Sequence, residues 1–139
     1  MNIAIIAHDK KNELMVQFCM TYCDILAEHT LCATSTTGRL VSEATGLKIK
    51  LLMSGLHNGE QQISALVAYN EIDMLFFFRD PTELVSYRYV PEISSLVRQC
   101  DLHNVPIATN LACAELLIKS LSRGDLQPRI ITRGNIRFE

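Results

Sequence analysis

The sequence predicts an open α/β fold, in which a parallel sheet of five strands carries helices on both faces. Five short apolar runs are spread along the 139 residues, and they are continuous rather than alternating, which is typical of strands buried on both sides. Stretches with apolar residues at helical spacing separate these runs. Because no repeat, linker or low-complexity segment interrupts the alternation, we expect one domain over residues 1–139.

The first three strands are predicted at residues 2–7, 31–34 and 49–53, where apolar runs end in polar segments. Between the first two strands, Met15, Phe18 and Tyr22 lie at helical spacing and predict a helix. A shorter helix is predicted over about 39–44, stopped by Gly46. Strand and helix therefore alternate through the first half of the chain.

The second half continues the same pattern, with strands predicted at residues 74–78 and 105–109. The apolar positions that predict the remaining helices are Ile63, Leu66 and Val67, then Ile93, Leu96, Val97 and Cys100, and finally Leu117 and Leu121. Each parallel strand is thus followed by a helix, as a crossover connection requires.

The composition excludes several classes of protein. Thirteen Lys and Arg residues against fifteen Asp and Glu residues give a net charge of −2, which argues against binding to nucleic acid. No apolar run approaches the length of a membrane-spanning helix, and the first residues lack the pattern of a signal peptide, so we expect a cytosolic protein without membrane contact. None of the five cysteines forms a CxxC pair, so we expect reduced thiols and no metal site.

Ligands of open α/β sheets bind beyond the carboxyl ends of the strands, and polar residues cluster there in this sequence. The segment 34–38 (Thr-Ser-Thr-Thr-Gly) follows the second strand, so its hydroxyls and backbone N–H groups could bind a phosphate at a helix N-terminus. Ser54 and Gly55 offer a second such corner. The alternative is that these residues only cap helices. Neither GxGxxG nor GxxxxGK[ST] is present.

Three carboxylates, Asp9, Glu60 and Asp80, follow three different predicted strands and are expected to converge at this edge. Clustered carboxylates raise proton affinity and make a general base available. Separately, Asp9 and Glu60 could serve as helix caps. A receiver domain is excluded because Ser54 stands where its phospho-accepting aspartate would be.

Six blocks in this order resemble the methylglyoxal synthase family over essentially the whole chain. They are residues 5–11 (IIAHDKK), 33–38 (ATSTTG) with 43–46 (EATG), 54–62 (SGLHNGEQQ), 79–81 (RDP), 106–110 (PIATN) and 133–135 (RGN). The resemblance implies a Rossmann-like fold and elimination of phosphate from dihydroxyacetone phosphate through an enediolate, giving methylglyoxal. It also implies no metal or organic cofactor and a homohexamer with sites near subunit boundaries.

The resemblance assigns roles to nine residues. The substrate phosphate would bind Thr34, Thr36, Thr37, Ser54 and Gly55. Glu60 would be the base, with His8, Asp9 and Asp80 around the reacting carbons. A carboxylate base, donors for developing charge on oxygen and a phosphate clamp are what this elimination requires.

The chain departs from the family pattern in and near the base loop. Glu60 replaces an aspartate, which moves the carboxylate by about 1 Å, and a displacement of that size can cost about a hundredfold in rate. The same loop has lost a proline and a glycine, which could compensate. Asn12 stands where the family has a phosphate-binding lysine, and Ser35 stands where it has glycine.

The largest departure follows Asp80, where the family has a loop with a catalytic histidine. Residues 82–92 of this chain are about two residues longer and contain no histidine. Candidate substitutes are His57, Tyr87, Arg88 and Tyr89, with Glu92 in place of an aspartate; the alternative is a solvated surface loop.

Three functions stay open at this point. The first is methylglyoxal synthesis with a rebuilt site. The second is a binding module for phosphorylated metabolites, as in the regulatory domain of carbamoyl phosphate synthetase. The third is a lyase acting on another phosphorylated sugar. Retention of acids at positions 9, 60 and 80 favours the first, because binding alone does not require three carboxylates.

Overall fold

The computed structural model of the chain describes residues 1–52, 58–82 and 89–126. These residues form one five-stranded sheet in the order β3-β2-β1-β4-β5, in which every neighbouring pair is parallel. The strands are β1 (Asn2–Ala7), β2 (Thr30–Thr34), β3 (Ile49–Leu52), β4 (Met74–Phe78) and β5 (Ile107–Ala108). The predicted parallel five-stranded sheet is confirmed.

In the described parts of the chain, six helices connect and cover the strands. They are α1 (Asn12–Thr21), α2 (Cys23–Leu26), α3 (Ser35–Thr45), α4 (Asn58–Ala68), α5 (Tyr89–Leu102) and α6 (Leu111–Arg123), and a short 3₁₀ turn over Asp9–Lys11 precedes α1. No helix in the described parts of the chain is long and apolar enough to cross a membrane.

The core has two layers because successive side chains of a strand point to opposite faces of the sheet. Ile3 and Ile5 of β1 pack on one face in a cluster with buried residues of α1, α3 and α6. Ala4 and Ile6 pack on the other face in a cluster with α4 and α5. Helices therefore cover both faces, which explains why the strands read as continuous apolar runs.

The largest differences from the predicted boundaries are at α3 and β5. The helix predicted over about 39–44 is the longer α3, which begins at Ser35 and ends at Thr45, just before Gly46, where φ is +77°. Serine and threonine favour turns and caps over helix interiors, so the first turn of α3 carries no helical signal in the sequence. The fifth strand contains only Ile107 and Ala108, and Pro106 before it accepts a hydrogen bond from the Leu75 N–H but has no N–H to donate.

Candidate functional site at the carboxyl edge of the sheet

The strand order reverses at β1, because β2 and β3 lie on one side of it and β4 and β5 on the other. Ala7 pairs with Phe78 at the carboxyl ends of β1 and β4, so His8 and the Arg79-Asp80 segment leave the sheet side by side. The backbone N–H of His8 donates to the Phe78 carbonyl at 3.0 Å. This reversal point is where open α/β sheets place their ligands.

His8 is fixed by a backbone hydrogen bond across this point. The N–H of Asp80 donates to His8 Nδ1 at 2.8 Å, and the imidazole packs edge-on against Phe77 with ring centroids 5.3 Å apart. Because Nδ1 accepts this bond, the hydrogen of the neutral ring lies on Nε2. His8 is 8% exposed, so its ring is held in a largely dry position at the edge of the sheet.

Asp80 is held as a carboxylate by its neighbours. The backbone N–H and the hydroxyl of Thr82 both donate to Asp80 Oδ1, at 2.9 and 2.6 Å. These two bonds lower the pKa of Asp80 below its ordinary value, and the positive charges of Lys10 and Lys11 lower it further, against the opposing effect of burial. The site therefore contains one carboxylate that stays ionised into acidic solution.

The 3₁₀ turn after His8 adds charge to the same edge. Asp9 and Lys10 are exposed and Lys11 is half-buried, and the Lys11 N–H donates to the His8 carbonyl at 2.7 Å. The first turn of α1 receives no side-chain cap from Lys11 at its N-cap position. Asp9 follows His8 directly in the chain and lies two residues before the N-cap of α1.

The side chain of Thr34 does not cap the first turn of α3. Thr34 is the N-cap residue, yet its side chain accepts no hydrogen bond from the helix, in contrast to Asn110, which accepts one from the Cys113 N–H at the start of α6. The first N–H groups of a helix have no partner within the helix and favour negative charge. Thr34 is half-buried and Thr36 is exposed at this N-terminus, so capping does not account for the Thr34 hydroxyl.

Gly38 allows α3 to lie close to the strands. A Cβ at this position would lie 2.5 Å from Leu51 Cδ2 and 3.0 Å from the Cβ of Ala33, which is closer than side chains approach. The glycine thus sets how near the first turn of α3 comes to the ends of β2 and β3. We take this close approach as the reason for glycine in the segment 34–38.

Asn12 and Thr37 link the first and second strand ends. The Thr37 hydroxyl donates to Asn12 Oδ1 at 2.7 Å, and both side chains are buried. The hydroxyl hydrogen of Thr37 is thus engaged in the hydrogen bond to Asn12. Its role as a phosphate ligand stays a prediction, and its backbone N–H in the first turn of α3 is the group that suits that role.

Several predicted site residues lie outside the described part of the structure. These are Ser54, Gly55, His57, Tyr87 and Arg88. The backbone places Glu60 in the first turn of α4, as predicted, and Tyr89 and Glu92 in the first turn of α5. Their proposed roles stay predictions.

Sequence reasoning missed Thr82 and the pairing of Asn12 with Thr37. Thr82 lies two residues after Asp80, which is the spacing at which an aspartate side chain accepts from the backbone of a turn, so this signal was present. Asn12 was noted only as a missing lysine, because residues 12 and 37 are too far apart in sequence for spacing to pair them.

Comparison with known proteins shows the family. The family model of the MGS-like domain matches residues 14–109, which is more than half of the chain. The chain belongs to the MGS-like domain family. A methylglyoxal synthase from Caldicellulosiruptor saccharolyticus is 56% identical over 137 residues, covering 99% of this chain and 96% of that protein. One from Bacillus subtilis is 48% identical over 134 residues, covering 96% of each.

A solved structure extends the family likeness to three dimensions. The crystal structure of methylglyoxal synthase from Elizabethkingia anophelis matches with a TM-score of 0.76 and 34% identity, covering 86% of this chain and 77% of that one. The resemblance recognised in the sequence, and the fold that it implied for the MGS-like domain, are both confirmed.

Proposed function

We propose that this protein is a methylglyoxal synthase that eliminates inorganic phosphate from dihydroxyacetone phosphate. The observation that carries the proposal is the juxtaposition of His8 and Asp80 at the reversal point of the sheet. Membership of the MGS-like domain family and near-full-length relatives named methylglyoxal synthase support it. The proposed reaction is a carbon–oxygen lyase reaction.

The phosphate of the substrate binds at the N-terminus of α3 in this proposal. The first-turn N–H groups and the hydroxyls of Thr34 and Thr36 supply donors to its oxygens. Ser54 and Gly55 complete the clamp, as the family resemblance implies. Lys10 and Lys11 add positive charge at the same edge, where Asn12 supplies none.

The chemistry begins with proton removal by Glu60. Its carboxylate takes the proton from the hydroxymethyl carbon, and charge moves onto the oxygens of the resulting enediolate. His8 Nε2–H donates to an oxygen of the substrate, which stabilises the charge that develops there. Asp9 and Asp80 lie beside His8 and orient the substrate hydroxyl group.

Elimination completes the reaction. The electron pair of the enediolate forms a new carbon–carbon double bond while the carbon–oxygen bond to phosphate breaks. Inorganic phosphate leaves, and the remaining enol takes up a proton on carbon to become methylglyoxal. The clamp on α3 must hold the breaking bond out of the enediolate plane, because elimination needs overlap between that bond and the π electrons. No metal or organic cofactor enters this scheme.

We propose that the protein assembles as a homohexamer and works in the cytosol. The hexamer follows from the family resemblance, and exposed apolar side chains such as Tyr69, Leu102 and Leu116 provide surface for subunit contacts. Light scattering coupled to gel filtration measures the mass directly, and a monomeric mass would contradict this assembly.

The test of the function is production of methylglyoxal and phosphate from dihydroxyacetone phosphate by the purified protein. We expect turnover that Glu60→Gln abolishes, because the amide cannot accept the proton, and that Glu60→Asp retains in part. Equal release of both products is required. Absence of turnover, combined with a higher Tm in the presence of phosphorylated ligands, would support a binding module. Turnover of a different phosphorylated sugar from a substrate panel would support a related lyase.

A further inference from the structure

Thr82 places two hydrogen-bond donors on a single oxygen of Asp80. The backbone N–H lies 2.9 Å and the hydroxyl 2.6 Å from Oδ1. The other carboxylate oxygen, Oδ2, accepts no hydrogen bond from any residue in the described ranges. One oxygen of Asp80 is therefore committed to Thr82.

We propose that Thr82 is a positioning residue of the active site, whose hydroxyl fixes the orientation of the Asp80 carboxylate beside His8. This proposal rests on the proposed function for its kinetic consequences, but the orientation itself is a property of the free protein. Thr82 contacts Asp80 and not the reacting atoms, so it acts through Asp80.

The hydroxyl is the group that distinguishes threonine from most other residues at position 82. Any residue at this position keeps the backbone N–H, whereas only serine or threonine adds a hydroxyl at this distance. A hydrogen bond to an ionised acceptor is shorter and stronger than one between neutral groups, and 2.6 Å lies in the short range expected for a hydroxyl on a carboxylate. The hydroxyl thus contributes to both the rotamer and the charge of Asp80.

Asp80 transmits this orientation to His8. The same residue that accepts from Thr82 donates its backbone N–H to His8 Nδ1 at 2.8 Å. Movement of the residue 80–82 turn would weaken the bond that keeps the imidazole hydrogen on Nε2. The three residues form one connected unit at the point where β1 and β4 end.

Charged groups around Asp80 come from two directions. Lys10 and Lys11 face it from the 3₁₀ turn, and His8 faces it from the end of β1. The bonds from Thr82 are the largest cause of the lowered pKa of Asp80, ahead of both lysines. Variants of Thr82 leave these charged groups in place, so a change in the titration of Asp80 reports on the hydroxyl.

The direct experiment is a carboxyl carbon NMR titration of Asp80 in the full-length protein, with the resonance assigned by Asp80→Asn. We expect Thr82→Val to raise the pKa of Asp80 and Thr82→Ser to restore it. Thr21→Val is the matched control, because Thr21 is an exposed threonine whose hydroxyl bonds the Gln17 carbonyl away from the site. An unchanged Asp80 titration in Thr82→Val would overturn the proposal.

Kinetics provide the second readout. We expect Thr82→Val to lower kcat on the order of tenfold, with KM within about twofold, which is the effect of losing a hydrogen bond to a charged group at a site of chemistry. Thr82→Ser rescues kcat, and Thr21→Val leaves it unchanged. Failure of serine to rescue would overturn the role of the hydroxyl.

The two proposals fail in distinguishable ways. A wild-type protein without turnover would overturn the proposed function, and the NMR titration would still decide the role of Thr82. An active wild-type protein whose Thr82→Val variant keeps both its kcat and its Asp80 titration would overturn only the positioning role. Thermal unfolding of Thr82→Val at the same midpoint as Thr21→Val excludes loss of folding as the cause.

Discussion

Replacing Thr37 by valine removes one hydroxyl from a buried pair that joins two loops of the site. Thr37 is 2% exposed, and its hydroxyl donates to Asn12 Oδ1 at 2.7 Å, so the variant leaves a buried amide oxygen without its donor. Valine keeps the shape of the threonine side chain, and water has little access to position 37 because it is buried. The lost interaction is therefore the main cost of the change.

The size of the effect follows from that unsatisfied oxygen. Leaving a buried acceptor without a partner costs about 1–3 kcal/mol. Unfolding entropy of about 2.1 cal/mol/K per residue amounts to about 0.3 kcal/mol/K for a chain of this length, so Tm falls by about 3–10 °C. Urea unfolding gives the free energy, and calorimetry gives Tm.

A double-variant cycle separates the pair from its surroundings. Asn12→Leu removes the amide, and the double variant with Thr37→Val replaces both polar partners by apolar groups, which is nearly neutral for a buried pair. We expect the double variant to be more stable than the sum of the single effects predicts, by about 1 kcal/mol or more. Additive effects, or a Tm of Thr37→Val within about 1 °C of wild type, would refute the reasoning.

Three further predictions concern pH, thiols and packing. The pKa of Asp80 is lowered in the folded protein, so its contribution to stability is complete above the ordinary aspartate pKa and is lost as pH falls through the folded value. Urea unfolding between pH 7 and pH 3 should therefore show a steeper loss of the free energy of unfolding in wild type than in Asp80→Asn. An equal slope would contradict this assignment. Burial raises the pKa of Cys19 to about 12 and of Cys32 to about 11, so both thiols should react slowly with a thiol reagent at neutral pH. The exposed thiol of Cys113 should react first, and Cys113→Ser should remove the fast phase of the reaction. Gly38→Val should destabilise by about 1–3 kcal/mol through overpacking against β2 and β3, and an unchanged urea midpoint would show that α3 can move away.

Much of the fold was predictable because buried parallel strands leave a simple signal. The runs at 2–7 and 74–78 match β1 and β4 at both ends, since these central strands are buried on both faces. The signal weakens at the edges of the sheet and at helix starts. Helix α3 begins four residues before its predicted start of about residue 39, because its first residues are serine, threonine and glycine, which have low helix propensity.

The sequence predicts which strand ends carry the candidate residues but not the atomic contacts that those residues make. The rule that ligands bind at carboxyl strand ends selected His8, Asp9 and Asp80, and the structure places all three at one edge. The bond that fixes the His8 tautomer comes from a backbone N–H, and every residue except proline has one. No sequence pattern therefore predicts this contact, which results from the register between β1 and β4.

The distribution of charge explains why neutral donors matter at this edge. Asn12 is neutral and accepts a hydrogen bond from Thr37. The positive charges that lower the pKa of Asp80 come from Lys10 and Lys11. In the proposed reaction these cations also face the substrate phosphate, whose negative charge opposes their effect on Asp80. Hydrogen bonds from the Thr82 N–H and hydroxyl act on Oδ1 at contact distance and do not depend on that balance. Asp80 can thus stay ionised when an anionic substrate binds, because the donors that contribute most to its lowered pKa are neutral groups.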